Sequence, residues 1–233
     1  MKKVLVSVAA AAAISSMAMA GGDIAPVAPA PVDNWSGFYV GAQAGYLWGD
    51  ADGKGIDELE GLSANNADVD GGVAGLYAGY NWLMDNGFLL GIEGEWNYVD
   101  ADGKTAVVDG NDDTGWSAKA TQDWDASLRL RAGMVVNNDY LLYVTGGAAW
   151  AKVGVDIYDD DNEKIANDSQ TMSGWTIGAG VEMVLTENLH ARLQYRYTDY
   201  GDKDFSDTVD GDVYKINADY NAHMVTLGLS YRF

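Results

Sequence analysis

Cysteine is missing altogether, histidine occurs twice (His190 and His223), and proline three times in 233 residues. The first absence excludes disulfides, thiol catalysis and cysteine-ligated zinc. Two imidazoles are too few for a histidine-rich metal centre, so neither a metal nor a cofactor is expected. Basic residues are scarce as well. Fourteen Lys+Arg against 35 Asp+Glu give a net charge of -21, which argues against nucleic acid as a partner because phosphate binding needs a basic surface. No apolar run reaches the ~18 residues that a membrane helix needs, so a membrane role would have to come from strands. What is plentiful is glycine (29), tyrosine (14) and tryptophan (8), a composition that favours strands over helices. The length suits one all-β domain.

The N-terminus reads as an address. Lys2 and Lys3 precede the apolar stretch Val4 to Ile14, and Ala18-Met19-Ala20 offers small residues for cleavage, the order of a secretory signal peptide. The expected organisation is a signal peptide at 1–20, an extended leader at 21–34 holding Pro26, Pro29 and Pro31, and a barrel over 35–233.

From Trp35 onward about ten alternating residues recur, each run followed by a turn. Short turns fall at Met84–Gly87, Asn137–Asp139 and Thr186–Asn188, with hairpin-type residues. Long, acidic connections are expected at Gly49–Gly71, Asp100–Thr121, Val155–Thr171 and Thr198–Asp219. Short and long alternate strictly, which places them at opposite ends of an up-and-down sheet. The expected strands are Gly37–Trp48, Gly72–Leu83, Phe88–Val99, Gln122–Val136, Tyr140–Gly154, Met172–Leu185, Leu189–Tyr197 and Tyr220–Phe233. The fold class expected is an all-β, eight-stranded, antiparallel, up-and-down transmembrane β-barrel.

Period-2 alternation assigns the faces. In the third strand Phe88, Leu90, Ile92, Trp96 and Tyr98 oppose Gly91, Glu93, Glu95 and Asn97; in the fourth, Trp124, Leu128 and Leu130 oppose Ser127, Arg129 and Arg131. In the fifth, Leu142, Val144 and Trp150 compete with Leu141 and Tyr143, and the Trp150 face is taken as apolar. Glu182, Arg192, Arg196 and Arg232 fall on polar faces, so all five arginines do. Eight strands enclose too little space for the bulky rings. The polar face is therefore expected inside, with Glu93, Glu95, Arg129, Arg131, Glu182, Arg192, Arg196 and Arg232 as a luminal charge network. A conducting path and a catalytic cluster are the alternatives for these charges. No Ser/His/Asp grouping is expected to be brought together by this topology.

Aromatic spacing supports that orientation. Phe38 and Trp48, Phe88 and Tyr98, and Tyr140 and Trp150 are each ten residues apart on one apolar face. Ten residues at ~3.3 Å, tilted by about 40°, rise roughly 25 Å, the height of an outer-membrane apolar band. Together with Trp82, Trp96, Trp124 and Trp175 they form two expected aromatic girdles.

Several segments match a known pattern: Trp35-Ser36-Gly37-Phe38-Tyr39-Val40-Gly41, Ala78-Gly79-Tyr80-Asn81-Trp82, Leu90-Gly91-Ile92-Glu93-Gly94-Glu95, Arg129-Leu130-Arg131-Ala132-Gly133, Val144-Thr145-Gly146-Gly147-Ala148-Ala149, Gly174 to Glu182, and Gly228-Leu229-Ser230-Tyr231-Arg232-Phe233. In order and spacing the chain resembles the small outer-membrane β-barrel surface antigens of Gram-negative bacteria (opacity-type, or "porin family"), whose barrel is similar to the OmpA transmembrane domain. Gln194 departs from that pattern, since many relatives carry glutamate there. The resemblance implies an outer-membrane location and a surface-antigen or host-interaction role.

Val225, Leu227, Leu229, Tyr231 and Phe233 look like the C-terminal signal read by the barrel-assembly machinery, a recognition that strand addition would serve; a lipid-facing stripe needs the same residues. The expected partners are outer-membrane lipid, lipopolysaccharide and that machinery. The expected function is structural and non-catalytic; a narrow channel, or an adhesin binding a host or surface ligand through its acidic loops, are the alternatives. Of the 35 acids, 27 are assigned to the long connections. Asp50–Lys54 and Asp100–Lys104 repeat one another, but Gly61 and Asn111 stand where a calcium loop needs glutamate.

Overall fold

The structure is a computed structural model that describes residues 35–56, 62–109, 112–158, 164–209 and 212–233. The signal peptide and leader expected upstream, and Gly61 and Asn111, lie outside the described residues. Eight strands follow in chain order: β1 (Gly37–Ile56), β2 (Leu62–Leu83), β3 (Phe88–Asp109), β4 (Asp112–Val136), β5 (Tyr140–Tyr158), β6 (Lys164–Val184), β7 (Leu189–Val209) and β8 (Asp212–Arg232). Each pairs antiparallel with its sequence neighbours, and β8 pairs back to β1, closing the barrel. The short turns separate β2 from β3, β4 from β5 and β6 from β7. Asn137 (φ 51°) and Asn138 (φ 62°) are both left-handed, a geometry that lets the short turn between the paired Val136 and Tyr140 follow the twist of its strands.

The pairing register fixes the barrel's width. Following direct partners from Tyr39 through Gly79, Glu93, Arg129, Gly147, Thr176, Thr198 and Ala222 returns to β1 at Gly49, ten residues further along. Eight strands with that stagger tilt by about 40° and enclose a backbone cylinder of about 8 Å radius. Side chains fill such a cylinder.

The strands outrun the sequence expectation at one end only. The four long connections are largely strand: β1 continues to Ile56 and β2 begins at Leu62, for example, where a loop was expected from Gly49 to Gly71. The reason is visible in the side chains. At this end the alternation continues with its polarity inverted. Leu47, Val69, Val99, Ala101, Met172, Tyr200, Tyr220 and Met224 point inward and are buried, while Asp68, Asp70, Asp100 and Asp102 point outward. Below that level the outward positions are apolar and the inward ones polar, down to an apolar floor at the short-turn end. Extending the ladder satisfies backbone groups that a loop would leave to water, and the inverted pattern gives the extension an apolar core of its own.

The interior therefore has three layers. At the short-turn end Trp35, Leu89, Leu141 and Tyr143 form a buried apolar floor. At the other end the inverted segment forms a larger apolar cluster that includes Leu47, Val73, Val153, Met172, Tyr200 and Met224. Between them lies the ionic layer.

Candidate functional site: the luminal ion-pair layer

Eight charged residues that the alternation places on the polar face are all buried in the barrel. Glu93 is the hub. Its Oε1 accepts from Arg129 Nη2 at 2.6 Å and its Oε2 from Arg192 Nη1 at 2.8 Å and Tyr39 OH at 2.7 Å. Glu95 accepts from Arg129 Nη2 at 2.5 Å and from Arg196 Nη1 at 2.9 Å. Glu182 forms the second centre, pairing with Arg131 and, at 2.8 Å, with Arg232 Nη2. Arg131 Nη1 links the two centres, 3.8 Å from Glu93 Oε2.

These partners lie far apart in sequence. Glu93 and Arg129 are direct cross-strand neighbours, but Arg192 reaches Glu93 across the lumen from β7, 99 residues away. Two tyrosine rings lie beneath the cations: Arg192 Cζ is 3.4 Å from the Tyr77 ring centroid and Arg131 Cζ 3.8 Å from that of Tyr143. Such contacts add attraction beyond the hydrogen bonds, and the more so when desolvated.

The sequence reading missed several members of this layer. Asp125, counted among the acids of the outer connections, is buried and pairs with Arg196. It faces inward by the same alternation as Ser127 and Arg129, and the bulge between Gln122 and Trp124 changes the parity only above it, where Gln122 is the buried residue; its place two residues before Ser127 on the polar face was the available signal. Asn97 donates to Glu95 (2.8 Å) and Asp125 (2.6 Å), and Gln43 accepts from Arg192 (2.5 Å). Gln194, the departure from the family pattern, accepts from Tyr143 OH at 3.1 Å.

Trp35 and His190 also belong here. Trp35 Nε1 donates to the Asn138 carbonyl at 2.9 Å, and its own carbonyl accepts from Arg232 Nη1 at 2.6 Å. His190 meets the Trp35 ring edge-on at 4.7 Å, stands directly opposite Ser230, and lies 3.5 Å from Glu182. The topology thus does bring a Ser/His/carboxylate grouping together, contrary to expectation. Arg232 Nε donates to His190 Nδ1 at 3.2 Å, and no hydrogen bond joins Ser230 to His190 among the described residues. All three are at most 2% exposed, so no substrate reaches them in this conformation.

Space for the tyrosines comes from glycine. A Cβ on Gly41 would lie 2.3 Å from Tyr77 Cζ and 2.6 Å from the Leu229 carbonyl oxygen, whereas one on Gly72 would meet nothing within 4 Å. Gly41→Ala is therefore expected to cost about 1–3 kcal/mol as an overpacked site, and Gly72→Ala next to nothing. Urea unfolding of the two variants in lipid vesicles, followed by tryptophan fluorescence, checks the contrast.

Outside, Phe38, Trp48, Trp82, Phe88, Trp96, Tyr98, Tyr140, Trp150 and Trp175 are exposed, and Trp124 is half-buried beside the β4 bulge. Trp96 stands one outward position nearer the barrel middle than Tyr98. On β8, Leu227, Leu229 and Tyr231 point outward, with Phe233 exposed just beyond the strand and Val225 half-buried. At the end of the inverted segment, His223 stacks on Trp48 at 5.7 Å and shares a 2.7 Å hydrogen bond with Tyr195. Among the described residues no group of three or more His, Cys, Asp or Glu could hold a metal ion.

An apolar exterior around a charged, sealed interior is the reverse of a water-soluble barrel, and comparison with known proteins agrees. A family model described as outer membrane protein beta-barrel domain matches residues 6–233. The 31 kDa outer-membrane immunogenic protein of Brucella melitensis is 33% identical over 245 residues, covering 99% of this chain and 98% of that protein. A 22 kDa outer membrane protein of Rhizobium leguminosarum is 33% identical over 209 residues, covering 90% of this chain and 82% of that one. Among solved structures, the outer membrane protein OprG of Pseudomonas aeruginosa aligns with a TM-score of 0.55 at 16% identity, over 85% of this chain and 97% of that one. The outer membrane protease OmpT of Escherichia coli aligns at 0.53 and 11% identity, over 84% and 96%. These last two likenesses concern the fold alone.

Proposed function

This chain belongs to the outer membrane protein beta-barrel domain family, and from that membership we propose that it works as a sealed, non-catalytic barrel that reinforces the outer membrane and presents an acidic surface outward. The observation that carries the reading is the closed lumen. A floor built on Trp35, an ionic layer and an apolar upper cluster succeed one another along the axis, with their largest side chains buried. An interior packed this way lends rigidity and offers no continuous water path. The outward aspartates of the strand extensions, among them Asp68, Asp70, Asp100 and Asp102, stand where neighbouring lipopolysaccharide and external ligands meet the protein.

The N-terminal signal peptide directs export, and the alternating C-terminal stripe ending in Phe233 is the recognition element for barrel assembly. Both proposals rest on sequence pattern, and the exposure of Leu227, Leu229, Tyr231 and Phe233 supports the second.

Planar-bilayer recording tests the sealed lumen. The purified full-length monomer is expected to give no steady ohmic conductance. A stable single-channel current from monomer would replace this reading with a narrow pore lined by Arg129, Arg192 and Arg196. Incubation with peptide and ester substrates is expected to give no turnover above buffer.

A further inference from the structure

Among the described residues the buried layer holds more positive than negative groups. Five arginines (129, 131, 192, 196, 232) are buried there with four carboxylates, Glu93, Glu95, Asp125 and Glu182. One guanidinium charge is in surplus, in a region where an uncompensated charge is costly.

The surplus has an address. Arg129 is 1% exposed, yet its Nη2 alone serves both Glu93 (2.6 Å) and Glu95 (2.5 Å), while Nε and Nη1 have no partner among the described residues. Arg196 converges on the same carboxylate, Glu95, at 2.9 Å, and its Nε is likewise unpartnered. Thr145, buried on β5, has an unpartnered hydroxyl.

The wall between these groups is made of small residues. The direct partner of Arg129 on β5 is Gly147, whose partner on β6 is Thr176; Thr145 pairs with Gly178, whose partner on β7 is Arg196. From Arg129 round to Arg196, strands β5 and β6 thus present two glycines and two threonines at this level. The Thr176 hydroxyl is already engaged with the Tyr197 carbonyl at 2.8 Å.

We propose that the unpartnered donors Arg129 Nε and Nη1, Arg196 Nε and the Thr145 hydroxyl together form a binding site for one small inorganic anion of halide size. A water molecule there would satisfy the N–H groups but leave the surplus charge in place. An anion does both. Because apolar clusters close the barrel above and below, the ion is taken up as the barrel folds.

The test uses the full chain refolded and crystallised with bromide as the only halide. Diffraction at the bromine edge is expected to show an anomalous peak in hydrogen-bonding contact with Arg129 and Thr145. In solution, the unfolding midpoint should rise with bromide but not with gluconate at equal ionic strength. Thr145→Val, which removes one hydroxyl donor and keeps the volume, should raise the half-saturating bromide concentration about tenfold, the effect of losing one hydrogen bond to a charged group. Water density at the site without anomalous signal, bromide bound on the exterior only, or a bromide dependence unchanged in Thr145→Val would each overturn the proposal.

Discussion

Glu93→Gln is expected to lower the unfolding free energy by about 3–5 kcal/mol, the cost of removing one partner from a buried ion pair while leaving the other in place. Glu93 and Glu95 each pair with three arginines, and Glu93 also joins the Glu95 group to the Glu182 centre through Arg131. Glu93 accepts from Arg129, Arg192 and Tyr39, and Arg131 stands 3.8 Å away. Neutralising it leaves five buried guanidinium groups facing three carboxylates. Urea titration in lipid vesicles, with the heat-modifiable electrophoretic shift as an independent reading of the folded fraction, measures the loss. Combining Glu93→Gln with Arg192→Gln should recover part of it, because the second change removes a stranded charge; contacting residues of one network do not add independently. A Glu93→Gln barrel within about 1 kcal/mol of the parent would mean that this network does not stabilise the fold as its geometry implies.

The second large effect concerns the outer wall. Leu130 is 69% exposed halfway along the apolar part of β4. On a water-soluble barrel, arginine there would be nearly neutral. In a bilayer it lies near the midplane, where Leu130→Arg is expected to cost about 2–4 kcal/mol, falling to about 0–1 kcal/mol for Met134→Arg near the short-turn interface. The same vesicle titration compares the two. Equal and negligible costs would put the apolar surface in contact with something other than lipid.

Much of the membrane-spanning half was legible in the sequence, because it is a local property. Phe88, Leu90 and Ile92 alternate with Leu89, Gly91 and Glu93 whatever the chain does elsewhere, and the count of such runs gives eight strands. The short turns were legible for the same reason: Asn137 and Asn138 carry their left-handed preference in their own side chains. The upper half reads as loop in the sequence because its outward residues are acidic, although its period is that of a strand. Asp68-Val69-Asp70 and Asp100-Ala101-Asp102 alternate as strictly as the runs below them, with the apolar residue turned inward once water replaces lipid outside.

Which charges meet was a different matter. Glu93 and Arg129 follow from one hairpin, but Arg192 on Glu93, Arg196 on Asp125 and Arg232 under Trp35 depend on the ten-residue stagger of the closed barrel. The amino-acid order by itself settled the strands, their number and the greasy face, since each rests on neighbours within a few residues. Closure decided the rest. Only when β8 returned to β1 did tilt and radius take definite values, and those values set which side chains share a level across the lumen.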